Sequence, residues 1–301
     1  MNRFSLILLA LIFALVTSAS AQHLAQSGAS DQFMFWQDSL KKLNHRVNYS
    51  EVEPERYNAN YAFIKTLVST LKIQGSFNHD FDSLKAVSII RSNDSRFKLF
   101  TWHVLNDDGS YRYYGTIQMN SPDGKLKLFP LVDYTSSFTN PTDSVTTNDR
   151  WYGARYYKII PVTNASTPYY ILLGWKGNTV KTTKKVIDIV SFRNDKAYFG
   201  MPIFDGEDKD YANKKRIIFE YARKTSMLLN YLPEQKLIIF DHLAPMNQNV
   251  INQYEFYGPD MSYDGFRLMN GQCQFTQDIP LKNPPSDKDD QFIAPKKVIQ
   301  K

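Results

Sequence analysis

Residues 97–119, FKLFTWHVLNDDGSYRYYGTIQM, carry the clearest structural signal in this chain. Phe97–Leu105 and Tyr111–Met119 are rich in aromatic and β-branched residues, which favour strands. The intervening residues 106–109, NDDG, are typical of a tight turn. The second strand alternates, with one face made of Tyr111, Tyr113, Ile117 and Met119 and the other of Arg112, Tyr114, Thr116 and Gln118. The segment therefore predicts an antiparallel hairpin.

Similar short apolar runs continue through the rest of residues 85–281, separated by turn-forming sequences such as 174–178, GWKGN. Alternating strand and helix patterns, which would indicate a parallel sheet, are absent after residue 75. The spacing predicts one antiparallel, mainly β domain over residues 85–281, built as a sandwich or barrel-like array. No fixed-period repeat is visible, which disfavours a propeller.

Residues 33–75 have a helical rather than a strand-like period. The first apolar stripe consists of Phe33, Trp36, Leu40, Leu43 and Val47, and the second of Tyr57, Tyr61, Ile64, Val68 and Leu71. Pro54 is placed where proline commonly opens a helix, and Gly75 closes the segment. We expect a pair of amphipathic helices that bury their stripes against the β domain.

The first 21 residues, MNRFSLILLALIFALVTSASA, resemble a secretory signal peptide. Arg3 precedes an apolar run, and residues 19–21, ASA, match a signal-peptidase site. The run is shorter than the roughly 20 residues of a spanning helix. We expect cleavage before Gln22, a flexible N-terminus over 22–32, no membrane span in the mature chain, and export to the periplasm or the extracellular space.

The C-terminal residues 282–301 combine prolines with many charges, so we expect a disordered or surface-hugging tail. The formal net charge of +6 includes only brief basic clusters, such as residues 214–216, KKR. This distribution argues against a nucleic-acid partner and is interpreted as a solubility feature. Cys273 is the only cysteine, so no intramolecular disulfide forms, and we expect a buried, inert thiol.

Aromatic residues make up 14% of the chain, which raises the question of whether some of them bind ligand. Trp151 and Tyr152 lie in the run WYGARYY, and Trp175 lies in the predicted turn 174–178. Flat rings on a loop can stack on a sugar or a peptide, so these three are the candidate ligand contacts. The alternative is that the rings form core.

Asp241 and His242 follow the apolar run 237–240 and are the first candidate catalytic residues. Catalytic groups often lie where a strand enters a loop. His242 can act as a general base or bind a metal near neutral pH. The alternative is a turn-capping Asp241 and a structural His242.

Asp260 and Asp264 lie in the run YGPDMSYDGF, residues 257–266. Two carboxylates at this spacing can form an acid–base pair or bind a hard cation. The same letters are also ordinary turn sequences. The ligand spacing of a calcium-binding EF-hand is absent, and we expect neither a metal site nor a cofactor.

Six blocks of the chain resemble uncharacterised exported β-rich proteins of Bacteroidota-type bacteria. They are FKLFTWHVLNDDGSYRYYGTIQ (97–118), WYGARYYKII (151–160), YYILLGWKGN (169–178), RIIFEYA (216–222), LIIFDHLAP (237–245) and YGPDMSYDGF (257–266). The resemblance implies a bacterial exported context. It implies no activity, ligand or catalytic residue.

The sequence carries none of the common phosphate-loop, CxxC, HExxH or GxSxG patterns. We therefore interpret the chain as a non-enzymatic binding or envelope-associated module, with a glycan or a peptide as the expected ligand. The alternative is a hydrolase whose site is built from Asp241, His242, Asp260 and Asp264. That hypothesis predicts that the four side chains converge in the fold, because proton transfer needs hydrogen-bond reach.

Overall fold

The computed structural model describes residues 32–165, 167–205 and 210–280. The predicted signal peptide 1–21, nearly all of the segment 22–32 and the tail 282–301 lie outside these ranges. None of the described helices combines the length and the apolarity needed to cross a membrane.

The predicted helical segment forms helix α1 over residues 32–49 and helix α2 over Glu53–Leu71. Glu53 and Glu55 place negative charge in the first turn of α2, where the helix dipole favours it. The predicted stripe of α2 is wrong at Tyr61, which is 63% exposed. The face that is buried runs through Ala59, Phe63, Leu67 and Leu71.

The described strands are numbered in chain order. They are β1 (Ser88–Arg91), β2 (Phe97–Leu105), β3 (Tyr111–Met119), β4 (Lys127–Val132), β5 (Thr146–Thr147), β6 (Arg155–Val162), β7 (Tyr169–Gly177), β8 (Thr182–Arg193), β9 (Lys196–Phe199), β10 (Phe204–Asp205), β11 (Ile217–Ala222), β12 (Leu229–Leu232), β13 (Leu237–Pro245), β14 (Tyr257–Met269) and β15 (Gln272–Thr276).

Within the described residues these strands form three sheets. The first has the order β1-β2-β3-β4, and its β2–β3 hairpin has the predicted bounds. The middle sheet has the order β5-β9-β8-β7-β6, with β11 also paired to β8. The third has the order β10-β15-β14-β13-β12. All neighbouring pairs are antiparallel except β10 with β15.

The layers stack in the order helices, first sheet, middle sheet, third sheet. Phe63 of α2 packs edge-on against Trp102 of the first sheet, with ring centroids 5.3 Å apart. The opposite face of the first sheet packs on the middle sheet through Leu99 and Leu172. The other face of the middle sheet packs on the third through Ile171 and Phe240. The mainly β prediction is confirmed as a stack of open sheets, not a closed barrel.

The predicted turn at 174–178 is wrong for its first four residues, which belong to strand β7. Gly174 is needed there for close packing. A Cβ on this glycine would lie 2.8 Å from the Tyr156 ring. Trp175 is therefore a strand residue, paired with Arg155 on one side and Lys185 on the other.

The loop expected after residue 240 and the turns expected over 257–266 are also wrong, because both segments are paired strand. β13 continues through Asp241 and His242 to Pro245, and β14 begins at Tyr257. Gly265 again serves a close approach, since a Cβ there would meet the Ile238 carbonyl oxygen at 2.7 Å.

Candidate functional site

The candidate catalytic residues lie beside a β-bulge between β13 and β14. Asp241 pairs with Tyr263, and Leu243 pairs with Pro259, so residues 260–262 of β14 lie opposite His242 alone. Met261 has a positive φ of 76°, which is uncommon for a residue with a side chain. Asp264 pairs with Phe240, two residues before His242, so the alternation of side chains along β13 puts His242 and Asp264 on the same face of the sheet and Asp241 on the other.

His242 and Asp264 form a hydrogen-bonded pair, with Nδ1 and Oδ2 2.7 Å apart. Asp264 is buried, and its other oxygen accepts a hydrogen bond from the Asp278 backbone N–H at 3.1 Å. The His242 side chain remains 40% exposed. A carboxylate that orients the ring through Nδ1 leaves Nε2 as the nitrogen able to exchange a proton.

The charges around His242 favour its protonated form. Partial burial lowers the pKa of the imidazole, but the hydrogen bond and the charge of Asp264 outweigh this effect. Asp260 and Asp278 add to the increase, so the pKa is raised above its ordinary value of 6.5. Asp260 itself is held by Ser262, whose backbone N–H and hydroxyl both donate to Oδ1.

Three of the four predicted catalytic residues therefore lie together, and Asp241 does not join them. Its carboxylate accepts a hydrogen bond from the Leu228 backbone N–H at 2.6 Å. In the described part of the chain, no hydroxyl or thiol is hydrogen-bonded to His242 that could act as its nucleophile. The same ranges contain no group of three His, Cys, Asp or Glu side chains arranged to hold a metal ion.

Two of the three predicted ligand-binding aromatics lie in the core. Trp151 is fully buried, and its Nε1 donates to the Tyr156 hydroxyl at 3.0 Å. Tyr152 is also buried, and the Lys176 ammonium lies 4.5 Å from its ring centroid. These two rings offer no face to a ligand, because middle-sheet residues and their loops already cover them.

Trp175 is only partly buried, at the rim between the first and middle sheets. Its ring centroid lies 5.4 Å from His103 and 5.4 Å from Tyr111. Burial and the charge of Arg155 lower the pKa of His103 to about 4. His103 at this rim is therefore neutral near pH 7. The His103 and Tyr111 rings cover part of the Trp175 surface.

A cleft of about 660 Å³ opens at the end of the molecule where the middle and third sheets carry their turns. We call it the end cleft. It is lined by Pro161, Val162, Thr163, Asn164, Tyr231, Pro233, Gln235, Lys236, Arg267, Leu268, Met269, Asn270 and Gly271. This volume is within the usual range of small-molecule sites. Among these lining residues two are cationic and none is acidic.

Searches against protein-family models, curated proteins and solved structures find no match to this chain.

Sequence reasoning missed the end cleft because its cations are far apart in the chain. Lys236 and Arg267 are separated by a whole hairpin and meet only through the pairing of Leu237 with Arg267. Lys236 and Arg267 each lie next to strand residues, and a strand pattern does not indicate a cavity.

Sequence reasoning also missed the burial of several cations, among them Lys176 and Arg216. Lys176, from the predicted turn, donates three hydrogen bonds, to the Thr135 hydroxyl and to the carbonyls of Tyr152 and Gly153. Arg216, from a basic cluster interpreted as a solubility feature, is fully buried against Asp188. Both interact with protein groups around them, so we assign them a structural role.

Proposed function

We propose that this protein is a non-enzymatic binding module that holds an acidic oligosaccharide in the end cleft. The observation that carries the proposal is the charge of the lining, which contains Lys236 and Arg267 but no carboxylate among the described residues. Sugar carboxylates or sulfates would supply the missing negative charge. Charge-assisted hydrogen bonds of this kind are among the stronger polar contacts.

The two cations are available to a ligand. Arg267 uses Nη1 to donate to the Gln235 carbonyl at 3.1 Å, and this is the hydrogen bond its guanidinium makes within the described residues. A guanidinium has five donors, so several remain for a planar carboxylate. Lys236 is exposed at the cleft and makes no ion pair within the described ranges.

The neutral polar lining suits sugar hydroxyls. Asn164, Gln235 and Asn270 each contribute an amide that both donates and accepts, and Thr163 contributes a hydroxyl. Tyr231 adds a partly buried ring whose body packs on the core. A mixture of amides, one hydroxyl-bearing ring and cations distinguishes this lining from an apolar pocket.

The backbone around the cleft is held in place by hydrogen bonds. The Leu268 backbone N–H donates to the Lys236 carbonyl at 2.8 Å, which joins the two turns of the third sheet. The Tyr169 hydroxyl donates to the Gly271 carbonyl at 2.8 Å and ties the turn to the middle sheet. A preformed site loses less entropy on binding, which favours affinity.

Titration calorimetry with trigalacturonate, compared with the neutral trisaccharide cellotriose, tests the proposal. We expect trigalacturonate to bind at one site per chain, with an affinity that falls as salt is added. Lys236→Gln and Arg267→Gln should each weaken binding by about tenfold, as expected for loss of a charged contact. Equal binding of the acidic and the neutral sugar would refute the proposal.

The matched control is Lys41→Gln combined with Arg46→Gln. Both residues are exposed on α1, far from the third sheet. Their substitution removes the same two positive charges as substitution of the cleft pair. If the control weakens binding as much as Lys236→Gln with Arg267→Gln, the attraction is a general charge effect and the cleft is not the site. Arg267→Lys should retain part of the affinity, because it keeps the charge but loses the planar fork.

A second candidate function is general-base hydrolysis at His242. The observation that favours it is the 2.7 Å contact from Nδ1 to a buried carboxylate, which leaves Nε2 as the other ring nitrogen of a side chain that is 40% exposed. In this arrangement Nε2 would remove a proton from water as the water attacks an ester or amide carbonyl. Asp264 would stabilise the imidazolium that forms, without taking the proton.

Hydrolysis of p-nitrophenyl acetate tests this second candidate. The rate should rise with pH through the raised pKa of His242, and His242→Gln should remove the enzyme-dependent part of the rate. Asp241→Asn is the control, because Asp241 lies outside the pair and Asn keeps an acceptor for the Leu228 N–H. An unchanged rate in His242→Gln would eliminate this function.

An acidic extracellular polysaccharide as ligand fits the proposed export of the chain. N-terminal sequencing of protein recovered from a secreting bacterial host should begin at Gln22. Recovery of the chain with residues 1–21 attached would contradict the export proposal and would leave the binding experiment unaffected.

A further inference from the structure

A second, smaller cavity lies beside the β1–β2 hairpin, on the face of the first sheet that carries the helices. Its volume is about 270 Å³. Phe81, Leu84 and Val87 supply apolar walls. The charged part of the lining consists of three cations, Lys85, Arg91 and Lys98, and two carboxylates, Asp80 and Asp82, so it carries a net positive charge. We call it the β1–β2 pocket. It shares no lining residue with the end cleft.

Lys98 is a buried cation that forms no direct ion pair within the described residues, although the Asp80 carboxylate acts on it through space. The residue is 3% exposed, and its Nζ donates one hydrogen bond, to the His79 carbonyl at 2.8 Å. The rings of Phe77 and Phe81 lie 5.6 and 5.5 Å from Nζ and stabilise the charge, but they accept no ordinary hydrogen bond. Buried charges in proteins are normally paired.

Arg91 lies directly opposite Lys98 in the register of β1 and β2. Like charges directly opposite each other on neighbouring strands repel. Neither side chain forms an ion pair within 4.0 Å in the described residues, although Asp80 is near enough to interact with Lys98 through space. Arg91 donates to the Phe77 carbonyl at 2.8 Å, which holds it at the wall of the pocket.

We propose that the β1–β2 pocket binds a compact organic acid, whose anionic group contacts the Lys98 ammonium and the Arg91 guanidinium. The apolar part of the ligand lies against Phe81, Leu84 and Val87. An anion between the two cations offsets their repulsion and gives Lys98 a counter-charge in direct contact, which Asp80 and Asp82 do not provide. Because the volume is below the usual range for drug-sized ligands, the pocket suits a molecule of a few carbon atoms beyond its head group.

A series of straight-chain carboxylates, acetate, butyrate and hexanoate, tests the proposal by calorimetry and by NMR of the lysine Cε and Nζ groups. Affinity should rise about fourfold for each added methylene until the pocket is full. Hexanoate should shift the Lys98 signals at one equivalent per chain. Hexanamide has the same shape without the charge, and we expect it to bind at least about tenfold more weakly.

Lys98→Met is the main variant, since Met has a similar length and no charge. We expect it to fold at least as well as the wild type, because it removes a buried unpaired cation, and to lose at least about tenfold in hexanoate affinity. Arg91→Gln, at a solvent-exposed position, provides a second variant with little burden on folding. Lys41→Gln controls for the loss of one positive charge.

Three results would overturn the proposal: equal binding of hexanoate and hexanamide, unchanged hexanoate affinity in both Lys98→Met and Arg91→Gln, or no shift of the Lys98 signals at saturating hexanoate. None of these measurements involves the end cleft, so the result is independent of the proposed oligosaccharide site.

Discussion

At the scale of single residues, the neighbours of His242 determine the orientation of its ring and its pKa. Asp264 orients the ring, and the acidic groups around it raise its pKa above 6.5. A histidine whose pKa is raised on folding binds its proton more tightly in the native state. Its contribution to stability is therefore complete below the unfolded pKa and is lost as the pH rises through the folded pKa.

The corresponding prediction concerns His242→Gln. We expect the loss in free energy of unfolding to be larger at about pH 5.5 than at about pH 8.5, and to be about 1 kcal/mol or less because the side chain is partly exposed. Urea denaturation at the two pH values measures it. His45→Gln, which removes an exposed imidazole from α1, is the control. A loss that grows towards high pH would contradict the assigned direction of the shift.

A buried polar network in the middle sheet is the second residue-scale feature. Arg216 Nε donates to Asp188 Oδ1 at 3.1 Å, and the Tyr156 hydroxyl donates to Asp188 Oδ2 at 2.9 Å. Trp151 in turn donates to Tyr156. Loss of the carboxylate charge would leave the Arg216 guanidinium buried and uncompensated.

We therefore expect Asp188→Asn to lower the free energy of unfolding by about 3–5 kcal/mol. Asp143→Asn is the matched control, since Asp143 forms an exposed ion pair with Lys214 that should contribute about 1 kcal/mol or less. Chemical denaturation of both variants measures the difference. Similar small losses in the two variants would mean that the network is much weaker than its burial indicates.

At the scale of elements, β7 shows that glycine inside a strand can be misinterpreted as a turn signal. The run GWKGN resembles a turn, yet Gly174 has no positive φ and lies in the middle of a strand. Glycine is required at this position because the Tyr156 ring packs against it and leaves no room for a side chain. Glycine is favoured both in tight turns and where another group packs closely against the backbone, and a single sequence does not distinguish the two cases.

Gly174→Ala should consequently destabilise the protein by about 1–3 kcal/mol, through overpacking against Tyr156. Gly258→Ala in β14 is the control, because its nearest neighbour would be a Thr225 methyl group at 3.4 Å, an ordinary contact. We expect the control to change stability by about 0.5 kcal/mol or less. Urea midpoints compare the two, and equal effects would show that the Tyr156 ring moves aside freely.

At the scale of the whole molecule, the middle sheet occupies a position unlike the other two. Its β7 and β8 strands have buried residues on both faces, because the first sheet covers one face and the third sheet covers the other. Opening either strand to solvent therefore requires separation of two packed layers.

We expect amide hydrogen exchange to be slowest in β7 and β8 and faster in β1, whose residues are partly exposed. Mass spectrometry of peptides from the native protein, sampled over time, measures the rates. Faster exchange in β7 than in β1 would contradict the layered packing. This measurement depends on neither functional proposal.

The sequence by itself determined the elements whose local signals agree. Two helical stripes predicted α1 and α2, and alternation with a strong turn predicted the β2–β3 hairpin with its observed bounds. Even Cys273 is buried as expected, and burial raises the pKa of its thiol to about 12. The helices and the hairpin depend on neighbours close in the chain, and free cysteine is usually buried whatever the fold, so a single sequence contains the information.

Only the tertiary structure decided which side chains meet. It placed Trp151 in the core, separated Asp241 from His242 and Asp264, and brought Lys236 to Arg267 and Lys98 to Arg91. Each of these outcomes depends on strand register and on which sheet covers which face. Register and layer order follow from the packing of residues distant in the chain, which periodicity and composition do not encode.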